Sequence, residues 1–220
     1  MSVGRALMSA ACSSLSIIND IYLLHAPAAV YIILPPLLCS LQARICLGMY
    51  AGKGFTNPLK TRTAGRYQLI EVTDNATLRR NRAKIMTSVI NAVCPYPIRF
   101  KQVWHLSRGG VSLYAWKAFP PEGFVAMGMM CTVKDEPPDV KCMRCVPQAW
   151  VIPSKKAPFK IWDDTGAGGG KPGSIWTINS MDMVAIVAGH EPPQDSFYDL
   201  NSHRFFIDSV KLPKNLFGDK

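Results

Sequence analysis

Cys142 and Cys145 are separated by two residues, the spacing of a zinc knuckle. A structural zinc takes four ligands, and the nearest other candidates, Cys131 and His105, form no second knuckle. On a strand, side chains alternate and the two thiols would point to opposite faces, so core cysteines are expected. Gly166-Ala167-Gly168-Gly169-Gly170-Lys171 invites comparison with a phosphate loop. That motif needs glycine where Thr165 stands and Ser or Thr where Pro172 stands. The stretch is therefore read as a turn, as is Gly109-Gly110. Asp163 and Asp164, placed before it, are expected to accept from nearby backbone N–H groups. His25, His105, His190 and His203 share no paired spacing, and Gly-x-Ser-x-Gly is absent. No catalytic residue, metal ligand or cofactor is expected, and the chain is not read as an enzyme.

One cluster invites a binding role. Arg79, Arg80, Arg82 and Lys84 crowd the first half of a predicted helix over 76–93. Leu78, Ile85, Met86, Val89, Ile90 and Val93 share one face of it, with Asp74 or Asn75 placed to cap it. Cations at a helix start oppose its dipole, so helix stability does not explain them. A basic amphipathic helix suits an anionic membrane surface; the plainer alternative is a solvated face on a helix that packs on its own domain.

The elements around this helix are short strands, and the chain repeats itself. Trp104 and Trp162 lie 58 positions apart, and Glu136 and Glu191 lie 55 apart. Between them, Arg108 to Trp116 is matched by Gly169 to Trp176, and Gly123 to Gly128 by Met183 to Val187. A short period of this kind signals one structural unit used more than once around a shared core. Val111–Trp116 alternates with period two, and 124–130, 150–152, 174–179, 183–187 and 204–210 are further strand candidates between Pro-Pro, Gly-Gly and Asp-Asp turns. The fold class expected is mainly β: a repeated short-strand module, β-prism-like or β-sandwich-like, with one short basic amphipathic helix before it. Trp104, Trp116, Trp162 and Trp176 are assigned to the repeat core, with backbone carbonyls as partners for their indole N–H groups.

The division expected is an apolar N-terminal segment over 1–60, a basic connector over 61–97 and the β module over 98–212. The 220 residues are 48% apolar and 18% charged, enough to bury a core. The net charge of +10 is uneven: residues 1–99 hold 11 Lys/Arg against 3 Asp/Glu, and residues 100–220 hold 14 against 12. Seven cysteines without a framework spacing favour a reducing intracellular compartment. Ile21–Leu41 carries no charge over 21 residues, the length of a membrane span. Pro27, Pro35 and Pro36 argue against a span and for buried strands, Tyr31–Leu34 among them. Ala51 to Gly65 reads as a loop, followed by a strand over 67–72.

Phe100–Trp104, Gly123–Gly128, Glu136-Pro137-Pro138 and Trp162–Gly166 with Ser174–Trp176 together resemble a known repeat module. It is the module shared by vacuolar protein sorting-associated protein 62-like proteins and the large vacuolar protein sorting-associated protein 13-like proteins. The resemblance covers roughly 98–208. It implies an all-β module from a family of bridge proteins that move lipids between organelles and support vacuolar sorting. The lipid-carrying groove of those proteins is far longer than 220 residues can form, so this chain is read as a fragment or a stand-alone module, without transport activity of its own. The function expected is non-catalytic docking to an organelle membrane surface or an adaptor protein. Phospholipid is an admissible ligand, and the location is peripheral at an organelle contact site. The alternatives are a basic nucleic-acid-binding protein or an enzyme with an unrecognised site. Nucleic acid ranks lower because the cations sit on one amphipathic helix and not beside stacking aromatics.

Overall fold

The computed structural model describes residues 15–18, 21–24, 30–33, 42–53, 69–71, 82–108, 110–165, 171–201 and 203. The strand candidate at 204–210 lies outside them. The chain is mainly β. Its first strands are β1 (Leu15–Ile18), β2 (Ile21–Leu24), β3 (Val30–Ile33), β4 (Gln42–Ile45), β5 (Tyr50–Lys53) and β6 (Leu69–Glu71). Helix α1 (Arg82–Val93) follows. Then come β7 (Arg99–Arg108), β8 (Val111–Phe119), β9 (Phe124–Val125), β10 (Met130–Thr132), β11 (Val146–Pro147), β12 (Val151–Pro153), β13 (Phe159–Asp163), β14 (Gly173–Ile178), β15 (Met183–Ala188) and β16 (Tyr198–Leu200). The uncharged stretch 21–41 thus contributes β2 and β3, and among the described residues no helix is long and apolar enough to cross a membrane.

Two antiparallel strand pairs share an uncommon detail. In β7–β8 the register slips between Gln102 and Trp104, so that Gln102 faces Trp116 and Trp104 faces Ala115. In β13–β14 it slips between Lys160 and Trp162, so that Lys160 faces Trp176 and Trp162 faces Ile175. Each bulge inserts one residue just before the tryptophan, which re-aims that ring. Each pair then takes a third antiparallel strand: β10, with Met130 facing Trp116, and β15, with Ala185 facing Trp176. The first set forms a sheet in the order β10-β8-β7, and the second forms one half of the sheet β1-β2-β5-β15-β14-β13.

β5 falls where the sequence reads as a loop, because Gly52 and Gly54 mimic a turn. It pairs with β2 along its length and touches β15 through Tyr50 and Met183. Just before it three chain segments, from the approaches to β5 and β10 and from β15, meet in a closed ring of backbone hydrogen bonds. Met49 donates to Met129 O at 3.1 Å, Met129 to Val184 O at 3.1 Å, and Val184 to Met49 O at 2.8 Å. The ring tolerates little bulk. Gly48, at φ +148°, lies where a Cβ would stand 3.1 Å from Gly128 Cα, a backbone region that is essentially glycine's own.

The core ignores the divisions drawn at 60 and 97. Ile45, Leu47, Met49 and Ala51 pack in one cluster with Val89, Ile90 and Val93 of α1, with Leu106, Leu113 and Ile186 of the sheets, and with Trp150 of a 3-10 turn. Helix α1 turns its 89, 90 and 93 positions inward while Thr87, Ser88 and Asn91 face solvent, as helical period requires. It ends where Cys94 N donates to Ile90 O at 2.7 Å, ahead of Pro95 and Pro97.

Candidate functional site

Around the four tryptophans, chemistry gives way to packing. Trp104 is buried and its Nε1 donates to Lys171 O at 2.8 Å. Its indole lies flat on Gly173, where a Cβ would overlap Nε1 and Cε2. It meets Trp162 edge-on at 6.0 Å, and Trp162 is only half-buried. Trp116 and Trp176 are buried but reach carbonyls through a hydroxyl relay. Trp116 Nε1 donates to Thr132 Oγ1, which donates to Lys134 O; Trp176 Nε1 donates to Ser174 Oγ, which donates to Gly189 O. The most buried ring, Trp150, was not among the assigned four.

The knuckle-like cysteines do not lie on a strand. Cys142 ends a short 3-10 turn (Val140–Cys142) capped by Asp139, because Asp139 bonds Lys141 N and breaks extension. Burial pushes the thiols of Cys94, Cys131 and Cys145 up to about 12, so they stay protonated and unreactive. Among the described residues no three His, Cys, Asp or Glu side chains gather to hold a metal. Arg144, between the two cysteines, is a structural tie: its guanidinium donates to Asn91 Oδ1, Cys94 O and Tyr96 Oη and stacks 3.5 Å above the Tyr96 ring. It holds the end of α1, where a cation suits the helix dipole.

Asp163 and Asp164 accept backbone N–H groups, from Thr165 at 3.1 Å and Gly173 at 3.0 Å. Asp164 Oδ1 also lies 2.6 Å from His190 Nε2, a partner that sequence spacing does not reveal. Hydrogen bonds to Thr165 hold the Asp163 carboxyl below its ordinary range. Partial burial pushes Asp164 up, but the bonds from His190 and Gly173 outweigh it and the net direction is downward. Asn179 is fully buried at φ +54°. Its Nδ2 donates to Met127 O while its Oδ1 accepts from Met181 N and Met183 N. From sequence it is only the last residue of the candidate strand 174–179.

The stretch of chain with unbalanced charge runs through α1 into β8. Between Asp74 and Glu122 there are eight Lys/Arg and no Asp/Glu, so most of the +10 net charge falls there. Arg79 and Arg80 lie outside the described residues; Arg82 and Lys84 occupy the first turn of α1, where no acidic residue offsets them. At the end of the β7–β8 pair remote from its turn, Lys101 faces Lys117 directly, and Arg99 covers the Phe119 ring at 4.5 Å. Like charges in cross-strand register repel. Lys117 has Asp195 at 2.6 Å, whereas Lys101 finds no carboxylate among the described residues. Ile98, 67% exposed, adjoins these cations. Farther along, His105 stacks on Tyr114 at 5.7 Å.

Among curated proteins, none matches the chain significantly. Among solved structures, the crystal structure of GNIP1Aa from Chromobacterium piscinae is similar at a TM-score of 0.43 and 16% identity, over 88% of this chain and 36% of that one. The chain therefore spans about a third of that protein's length. A family model described as vacuolar protein sorting-associated protein 62 matches residues 68–183, which takes in α1 as well as β7 to β14. That match covers more than half of the sequence, and the chain belongs to the vacuolar protein sorting-associated protein 62 family.

Proposed function

We propose that this chain is a non-catalytic docking module of a vacuolar-sorting protein, and that it binds the anionic surface of an organelle membrane from one side. Family membership supports the sorting role. The observation that carries membrane docking is the acid-free run between Asp74 and Glu122, which holds eight cations, six of them on α1, β7 and β8. Near an anionic bilayer each cation contributes about 1 kcal/mol, falling off within a Debye length. Exposed Ile98 supplies an apolar contact beside them. A nucleic acid is a poorer partner, because Phe119 already lies under Arg99 and Tyr114 under His105, leaving those aromatic faces occupied. An adaptor protein or a lipid-transfer assembly is a further partner that the family context suggests. The matching bulges of β7–β8 and β13–β14 support reading the two pairs as copies of one unit.

The test is co-sedimentation of the full chain with vesicles of phosphatidylcholine alone and with added phosphatidylserine, at low and high salt. Binding should require the anionic lipid, weaken with salt, and fall when Arg79, Arg80, Arg82 and Lys84 are changed to Gln. Equal binding to both vesicle types, unmoved by the four substitutions, removes the proposal. Trimming to 98–212 is no substitute for the full chain, since it discards Ile45, Leu47, Met49, Val89 and Val93 from the core.

A further inference from the structure

Beside the cationic end of β8 the fold leaves an apolar cavity of about 210 Å³. Its walls include Val125, Met127, Met129, Ile178, Ala185 and Val187, and the segment Asp195–Tyr198 closes it. That segment is fastened by Ser154 N donating to Phe197 O at 2.8 Å and by the ion pair of Asp195 with Lys117. Both side chains of this pair are about half exposed, at 45% and 53%. An ion pair so open to water is weak and exchanges partners readily. Lys117 lines the cavity; Lys101 does not, but it faces Lys117 across the strand pair and has no carboxylate partner among the described residues, so this corner carries one positive charge more than Asp195 neutralises.

We infer that this cavity binds a single-chain anionic amphiphile, with the chain inside and the headgroup on Lys117 and Lys101. The apolar walls and the rim cation Lys117, with Lys101 beside it, match the usual make-up of a small-molecule site, mostly apolar with few polar anchors. An apolar cavity of about 150 Å³ is enough for benzene, so this one accepts a chain of roughly eight carbons. The headgroup replaces Asp195 on Lys117 and relieves the repulsion between the facing lysines. The site shares Lys101 and Lys117 with the docking run but uses none of the cations of α1, and it stands without bilayer docking.

The experiment is calorimetric titration of the full chain with straight-chain carboxylates from butyrate to dodecanoate, and with octanol as the uncharged counterpart. Affinity should rise about fourfold per methylene and level off near eight carbons. Octanoate should outbind octanol. Lys117→Gln should weaken octanoate by about twofold to fivefold, the range of a half-exposed ion pair, and leave octanol unchanged. Asp195→Asn removes the internal competitor and should tighten octanoate. Ala126→Phe, which fills the cavity, should abolish binding of both; Val187→Phe serves the same purpose if that variant melts early. The inference fails if octanoate does not bind, if Asp195→Asn weakens it, or if neither filled variant changes it. Vesicle docking would remain intact in each of those outcomes, so the two proposals fail separately.

Discussion

The β7–β8 and β13–β14 pairs bend at the same place and do different work with it. In the second pair the lysine before the bulge is neutralised twice: Lys160 sits 5.1 Å above Trp176 and 3.4 Å from Asp163. In the first pair Gln102 holds that place, and the cations have moved to Lys101, Arg99 and Lys117, with only Asp195 to answer them. Burial differs as well. Every residue of β14 is buried because β13 and β15 flank it, whereas β7 is exposed at Arg99, Lys101, His105 and Ser107. One backbone design can therefore serve as a load-carrying wall or as a charged face, depending on which side chains are compensated.

The sharpest way to break this comparison is at its tryptophans. Trp104→Ala should cost about 3–5 kcal/mol, as for a buried ring, and Trp162→Ala distinctly less in the same urea melts, because Trp162 is half-buried. Equal costs would mean that the two pairs bear the same load. Gly173→Ala drives a methyl into Trp104 and should cost about 1–3 kcal/mol, the range for overpacking. In the double variant with Trp104→Ala that cost should largely vanish, which a double-mutant cycle reads directly. Next, Asn179→Ala should cost about 1–3 kcal/mol because Met127 O loses its buried donor.

The pH response separates the two pairs more gently. Asp163 and Asp164, both on the β13–β14 side, have carboxyls lowered from the ordinary 3.8. Their contribution is complete above that value and is lost as pH falls through the lower folded-state value. Asp164→Asn should therefore flatten the acid limb of a stability-versus-pH curve. The buried thiols act in the opposite direction. Cys94, Cys131 and Cys145 are raised from 9.0 to about 12, so the unfolded chain ionises first and stability declines as pH rises beyond about 9. Smallest of all, Lys101→Gln should move stability by no more than about 0.5 kcal/mol, while Lys160→Gln loses a cation–π contact worth roughly 0.5–1 kcal/mol.

What could be read from the sequence was local. Alternation marked β8, turn signals set off β14 and β15, and the helical face of Val89, Ile90 and Val93 marked α1. The paired Trp positions carried the family resemblance. The failures were long-range. β5 exists because β2 and Met183 supply partners from afar, and its glycines disguised it. The candidate strand at 124–130 breaks into β9 and β10, because Met127–Met129 bends away to serve Asn179 and the ring. Arg144 and the His190–Asp164 contact join residues 48 to 53 and 26 positions apart, which no motif window spans. The acid-free run needed only a charge count over the right window. The expected boundaries at 60 and 97 obscured it.

The ring of Met49, Met129 and Val184 also sets an order of events for the nascent chain. Its first member is made 135 residues before its last, and closing loops of that length is the slow, entropically costly part of folding. Until Val184 has left the ribosome, Met49 N–H and Met129 N–H cannot both find their places. Strand β5, paired with β2 on one side, must wait with its other edge unpaired until β15 is made. The interval in which that edge stands open ends when β15 arrives.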